Sequence, residues 1–141
     1  MTASFDRGET GGLEFIQEGE ALTTVETEAF LKRLNNELVL SQLAIRRART
    51  HAANCKKAYE MRRIPLLLSA ECPPVGRGVG EVTVAERDAW INNRIMAEYQ
   101  ALNDAKIALE NAIDYGWQVK DQVRIMQSLN NNAKEIYRSA R

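Results

Sequence analysis

From Leu31 onward, apolar side chains recur at alternating intervals of three and four residues, and no Gly or Pro falls between Val25 and Ile64. This heptad-like spacing predicts one long helix that buries a single stripe against partner helices. We expect helix 1 to span about residues 24–64 and Pro65 to end it. The stripe comprises nine positions, all apolar or Cys except one serine: Leu31, Leu34, Leu38, Ser41, Ile45, Ala48, Ala52, Cys55 and Tyr59.

Two local motifs mark helix starts. Thr23 stands three residues before Glu26, and Thr83 three residues before Glu86. This Thr-x-x-Glu spacing is the capping box, in which the hydroxyl and the carboxylate satisfy backbone amides reciprocally. Residues 65–82 hold all three prolines and three glycines, so we expect them to form the connection. The pattern then predicts helix 2 over about 84–115, a stop or kink at Gly116, and helix 3 over about 117–140.

These elements predict an all-α fold: a long antiparallel helical hairpin of helices 1 and 2 plus a shorter C-terminal helix. Alanine accounts for 18 of the 141 residues, and aromatic residues for 6%. Such a composition leaves few large side chains for a core. We therefore expect the chain to form a coiled-coil-like homo-oligomer.

Charge is segregated although the net charge is zero. Residues 1–31 hold seven acidic residues and one basic residue, whereas residues 32–64 hold nine basic and two acidic residues. Residues 1–22 also lack hydrophobic periodicity, which predicts an acidic flexible tail ahead of a helical domain over 23–141. Such blocks favour self-association or competition between the tail and a polyanion for the basic helix.

The basic residues of helix 1 lie off its apolar stripe and, in its second half, are opposed by Glu60 alone. A helix that carries Arg and Lys along its length can follow a phosphate backbone, although an ordinary solvated face has the same composition. We take nine residues as candidate nucleic-acid-binding residues, and the pattern leaves open DNA, RNA or an acidic protein surface. They are Arg46, Arg47, Arg49, Lys56, Lys57, Arg62 and Arg63 on helix 1, with Lys120 and Arg124 on helix 3.

Residues suited to catalysis or metal binding are scarce. His51 is the sole histidine, and Cys55 and Cys72 lack zinc-ligand spacing. The Gly76–Gly80 run has no Lys-Ser/Thr after its last glycine, so it indicates a turn rather than a phosphate loop. We expect no catalytic site, metal site or cofactor, and hence no enzyme. No apolar run is long enough for a membrane span and no secretory signal is evident, which predicts a cytoplasmic protein.

The layout over residues 32–127 resembles the UvsY-type recombination mediators of tailed phages. Shared features are a Lys/Arg-rich first long helix, a variable insert, a helix that begins in an acidic stretch and a final short helix. The run Gly116-Trp117-Gln118-Val119-Lys120, followed by Met126, is similar to the start of that family's C-terminal helix. The resemblance implies a small helical oligomer that binds single-stranded DNA and helps load a RecA-like recombinase, in the host cytoplasm if phage-encoded.

Two other classes of function fit the same pattern. The chain could be a structural or assembly coiled-coil protein of a virion, whose function is its self-association. It could also be a helical adaptor or inhibitor that docks on an acidic protein surface through its basic residues. Salt-dependent binding to single-stranded DNA distinguishes the mediator from the virion protein, and competition between DNA and a protein partner distinguishes it from the adaptor.

Overall fold

The computed structural model describes residues 6–7, 13–14 and 23–140. The all-α prediction is confirmed, with 84% of residues 23–140 in helices. Two-residue strands β1 (Asp6–Arg7) and β2 (Leu13–Glu14) pair antiparallel. The helices are α1 (Thr24–Leu67), α2 (Val84–Arg94) and α3 (Met96–Ser139). Apart from the two strands, the acidic tail predicted over residues 1–22 lies outside the described residues.

Both predicted capping boxes are present. At the start of α1, the Thr23 amide donates to Glu26 Oε2 (3.0 Å) and the Glu26 amide donates to Thr23 Oγ1 (3.2 Å). The Thr83–Glu86 pair makes the same two bonds, both 3.2 Å long, at the start of α2. Each box satisfies two amides that a helix N-terminus otherwise leaves unpaired, so these local signals determine where α1 and α2 begin.

The chain divides into two compact units, and α1 and α3 each contribute to both. Unit 1 comprises Met1–Arg46 and Asn111–Arg141. Its core is a cluster of Phe30 and Leu34 from α1 with Val119 and Met126 from α3. Within this unit the two helices run antiparallel, as shown by an ion pair of 3.7 Å between Glu28 and Lys134 and by the Tyr115 hydroxyl, which donates to Glu37.

Unit 2 comprises Arg47–Glu110. The buried residues of this unit are Ile91, Ile95, Leu102 and Ala105, from α2, α3 and the junction between them. The rings of Tyr59 and Tyr99 lie with their centroids 6.0 Å apart, so the end of α1 packs against the start of α3.

All nine positions of the predicted helix 1 stripe are buried or half-buried. Leu34 and Ser41 are among the fully buried residues, and the Ser41 hydroxyl is satisfied by donating to the Leu38 carbonyl (2.8 Å). The heptad spacing therefore identified the packed side of α1.

The predicted helix boundaries were wrong in three places. Helix α1 continues two residues past Pro65 to Leu67, because a proline in the last turn removes one helical hydrogen bond without stopping the chain. The second predicted helix is interrupted at Ile95, where φ is −120° and ψ is 42°. The predicted stop at Gly116 does not exist, so the C-terminal helix has 44 residues, as α1 does, and is not the shorter one.

Gly116 has a packing role that the sequence alone did not reveal. It is buried within unit 1, and a Cβ built there would lie 3.0 Å from Ile45 Cδ1 and 3.8 Å from Ser41 Oγ. Between residues 23 and 140, positive φ occurs at Gly80 and not at Gly116. The glycine thus permits close approach of two helices instead of ending one.

In the connection between α1 and α2, the backbone near Gly76 and Gly78 surrounds the carboxylate of Glu81. Glu81 accepts a hydrogen bond from the Gly78 amide (2.8 Å), and a Cβ built on Gly76 would lie only 1.7 Å from Glu81 Oε2. Nearby, Val82 donates to the Pro74 carbonyl (2.9 Å). The glycines of this run therefore make room for an internal anion, which agrees with the prediction of a turn.

Candidate nucleic-acid interface

The nine candidate basic residues are divided between the two units. Arg46, Lys120 and Arg124 belong to unit 1. The other six belong to the α1 part of unit 2, where Glu60 is the one acidic residue of the helix. The structure therefore brings six candidates together on one stretch of helix: Arg47, Arg49, Lys56, Lys57, Arg62 and Arg63.

Four of these six form what we call the basic band: Arg47, Arg49, Lys56 and Lys57. All four are exposed, and within the described residues none of them makes an ion pair or hydrogen bond. At about 100° per residue they cover roughly half of the helix circumference, opposite the packed stripe. Their charges are therefore available to an external anion.

The spacing of the band suits a linear polyanion. Arg49 and Lys56 are seven residues apart, which puts them on the same side of the helix and about 10.5 Å apart along its axis. In a duplex one strand rises about 3.4 Å per nucleotide along the axis, so this pair spans a rise of about three nucleotides. The half-buried positions Ala48, Ala52 and Cys55 hold the opposite side of the helix against the rest of unit 2.

Arg62 and Arg63 differ from the band because they have internal partners. Arg62 Nε lies 3.3 Å from Glu98 Oε1, and Arg63 Nη2 lies 3.2 Å from Asp88 Oδ1. Arg87 contacts the same Asp88 carboxylate at 3.3 Å. The side chain of Arg63 is only 27% exposed, so this guanidinium joins α1 to α2. Glu98 lies 36 residues after Arg62 in the chain, so no local pattern in the sequence indicated this pair.

On α3 the two candidates also have neighbours. Arg124 forms an ion pair with Asp121, one turn earlier. Lys120 is exposed, and its Nζ lies 5.0 Å from the centroid of the Trp117 ring. The sequence indicated these cations, but their local partners leave Lys120 as the more available of the two.

The aromatic side chains differ in accessibility. Trp90 is half-buried, and the Arg94 guanidinium lies 3.7 Å from its ring centroid. Tyr59 is also half-buried and its hydroxyl donates to Asn92. Trp117, in contrast, is 61% exposed. Its accessibility could not be read from the sequence, because it depends on which side of α3 the packing covers.

Polar groups that could perform chemistry do not converge. His51 Nε2 lies 3.7 Å from Cys55 Sγ, one turn along α1. Across the described ranges there is no group of three or more His, Cys, Asp or Glu side chains that could hold a metal ion. In the same part of the chain, no helix is both long enough and apolar enough to cross a membrane. What this part of the chain presents is exposed positive charge along α1.

Comparison with known proteins found no match to this chain among protein families, curated proteins or solved structures.

Proposed function

We propose that this protein is a non-enzymatic, single-stranded-DNA-binding recombination mediator that helps load a RecA-like recombinase. The observation that carries the proposal is the basic band, four exposed cations without internal partners on the solvent side of α1. Charges without internal partners need not break an ion pair within the protein before they pair with phosphate, and each contact releases condensed counterions.

The band favours contacts to phosphates over contacts to base edges. Its side chains are spread along the helix, as the phosphates of a strand are spread along its backbone. Contacts to phosphates position a protein on nucleic acid and carry no sequence information. Binding without base preference is what a mediator requires, because it acts wherever single strands are exposed.

The resemblance to UvsY-type mediators supports the step from DNA binding to recombination. The Lys/Arg-rich first helix is present as α1. The run from Gly116 to Lys120, similar to the start of that family's C-terminal helix, lies instead in the interior of α3. We propose the recombinase partner from this resemblance.

Self-association is part of the proposal. In unit 1, Val39, Leu40 and Leu43 are 58%, 59% and 39% exposed, on the side of α1 away from the buried Leu34. Exposed aliphatic clusters on a helix are typical of interaction surfaces. A second copy of this chain fits this side because the same helix already packs through a heptad stripe on its other side. The same observation favours the alternative function, a structural or assembly coiled-coil protein of a virion.

Binding to a labelled single-stranded oligonucleotide at low salt tests the proposal. The band variant carries Arg49→Ala, Lys56→Ala and Lys57→Ala, and the control variant carries Lys32→Ala, Arg77→Ala and Lys106→Ala, so both lose three exposed positive charges. Alanine preserves helix formation. We expect the band variant to bind much more weakly than the control variant, by fluorescence anisotropy. Equal loss in both variants would show that net charge alone governs binding, and no binding by the unmodified protein would favour the structural alternative.

Loading is tested with a recombinase of the RecA class. If the proposal is correct, the protein raises the salt concentration at which the recombinase leaves single-stranded DNA, and the band variant does not. An unchanged dissociation profile with the unmodified protein would restrict the function to DNA binding.

A further inference from the structure

Trp117 is the more exposed of the two tryptophans. It is 61% exposed, whereas Trp90 is half-buried, and among the tyrosines Tyr137 is exposed to a similar extent (62%) while Tyr59, Tyr99 and Tyr115 are half-buried. Burial of a tryptophan is strongly favourable, so a tryptophan left on a helix surface is a candidate contact residue. Its position on α3 is well defined because Val119, two residues later, is buried in the core of unit 1.

The surroundings of the ring are cationic on one side. Lys120, one turn later, places its Nζ 5.0 Å from the ring centroid. Among the described residues this is the ring contact that Trp117 makes, and no aromatic side chain stacks on it. The next cation, Arg124, is held by Asp121. Trp117 and Lys120 therefore combine an accessible aromatic ring with one available positive charge.

We propose that Trp117 stacks on an unpaired nucleobase while Lys120 contacts the adjacent phosphate, and that this pair makes the protein prefer single strands over duplex. The inference rests on the proposed DNA-binding function and adds a preference for single-stranded over duplex DNA. The basic band contacts phosphates, which single-stranded and duplex DNA both present. A tryptophan ring needs the face of a base, which is covered by its neighbours in a duplex and accessible in a single strand.

Trp90 does not fit the same role. It is half-buried, and the guanidinium of Arg94 lies 3.7 Å from its ring centroid, closer than Lys120 lies to Trp117, so less of its ring is accessible to a base. The two tryptophans are thus a natural pair for an experiment, one accessible and one covered.

The test uses the full chain and three probes of equal length: a single strand, the corresponding duplex and a single strand with abasic sites in place of its bases. Loss of one stacking aromatic weakens single-strand binding by roughly five-fold to one-hundred-fold. We expect Trp117→Ala to lower affinity for the normal single strand by this factor and to leave affinity for the duplex and the abasic strand unchanged. Trp117→Phe should restore part of the loss, and Ile125→Ala, which shortens another exposed apolar side chain of α3, should have no effect.

Intrinsic fluorescence gives an independent readout. With Trp90→Phe, emission comes from Trp117 and should be quenched as the single strand saturates the protein. With Trp117→Phe, emission comes from Trp90 and should change little. If Trp117→Ala binds all three probes like the unmodified protein, or if Trp117 emission stays constant at saturation, the stacking inference is wrong while salt-dependent binding still supports the proposed function. Trp117 emission that shifts with protein concentration before any oligonucleotide is added would also overturn it, since a second copy would then cover the ring.

Discussion

The close approach at Gly116 makes a quantitative prediction about packing in unit 1. In Gly116→Ala the new methyl group would lie 3.0 Å from Ile45 Cδ1, whereas carbon atoms pack best at about 3.5–4.0 Å. Ile45 must therefore turn its terminal methyl group away, at a cost of about 0.5–1.5 kcal/mol. Alanine favours a helix over glycine by about 1 kcal/mol. The two effects offset each other, so the free energy of unfolding should stay within about 1 kcal/mol of the original value.

A double-mutant cycle separates the two effects. Ile45→Val removes the Cδ1 atom that the new methyl group would contact, at a cost of about 0.5–1.5 kcal/mol by itself. In that background Gly116→Ala should raise the free energy of unfolding by about 1 kcal/mol, which is the helix preference alone. The favourable coupling energy between the two substitutions should thus be about 0.5–1.5 kcal/mol.

Urea unfolding followed by far-ultraviolet circular dichroism measures all four proteins, provided that the slope of free energy against urea stays constant. Gly116→Leu serves as the severe control, because overpacking between helices costs about 1–3 kcal/mol. If Gly116→Ala stabilises the protein by the same amount in both backgrounds, the two effects are additive. That result would refute a close approach between residue 116 and Ile45. A large loss in both backgrounds would indicate that Gly116 needs a backbone conformation that alanine cannot adopt.

Three further outcomes are expected. Asn130 is 7% exposed and its Oδ1 has no hydrogen-bond partner among the described residues, so Asn130→Leu should raise the free energy of unfolding by about 1–3 kcal/mol in urea; a decrease would indicate that Asn130 has a polar partner. Gly76→Ala must displace the exposed Glu81 carboxylate from the Gly78 amide and should cost about 0.5–1.5 kcal/mol, whereas Arg77→Ala next to it should be neutral; equal stability of the two would contradict the loop geometry. Sedimentation should give a mass that is a multiple of 15.9 kDa, reduced by Val39→Asp, and a monomer at micromolar concentration would contradict self-association.

Most of the fold could be predicted from local patterns in the sequence. The stripe from Leu31 to Tyr59 was correct because burial of a helix side depends on spacing within one segment. The Thr23 and Thr83 caps were correct because their hydrogen bonds close within four residues. The interruption of the helix at Ile95 could not be predicted, because no glycine or proline lies there. Ile91 and Ile95 are both buried there, so tertiary packing competes with continuation of the helix.

In the candidate site, too, local features could be predicted and long-range contacts could not. The sequence identified the cations, because composition off the apolar stripe is a local property. It could not separate the basic band from Arg62 and Arg63, since their partners Glu98 and Asp88 lie 36 and 25 residues away along the chain. Nor could it distinguish Trp117 from Trp90, because exposure depends on which helix faces are covered. Contacts between residues far apart in the chain could not be predicted from the sequence.

The dependence of single-strand affinity on salt tests the account most directly. Each phosphate contact on a single strand contributes about −0.7 to the slope of log affinity against log salt, so the four residues of the basic band should contribute about −2.8. The band variant loses three of these contacts, so its slope should be shallower by about 2 units, and that of the control variant should be unchanged. Anisotropy titrations over a range of salt concentrations measure all three slopes. Equal slopes for the band and control variants would contradict the claim that α1 binds single-stranded DNA through this band.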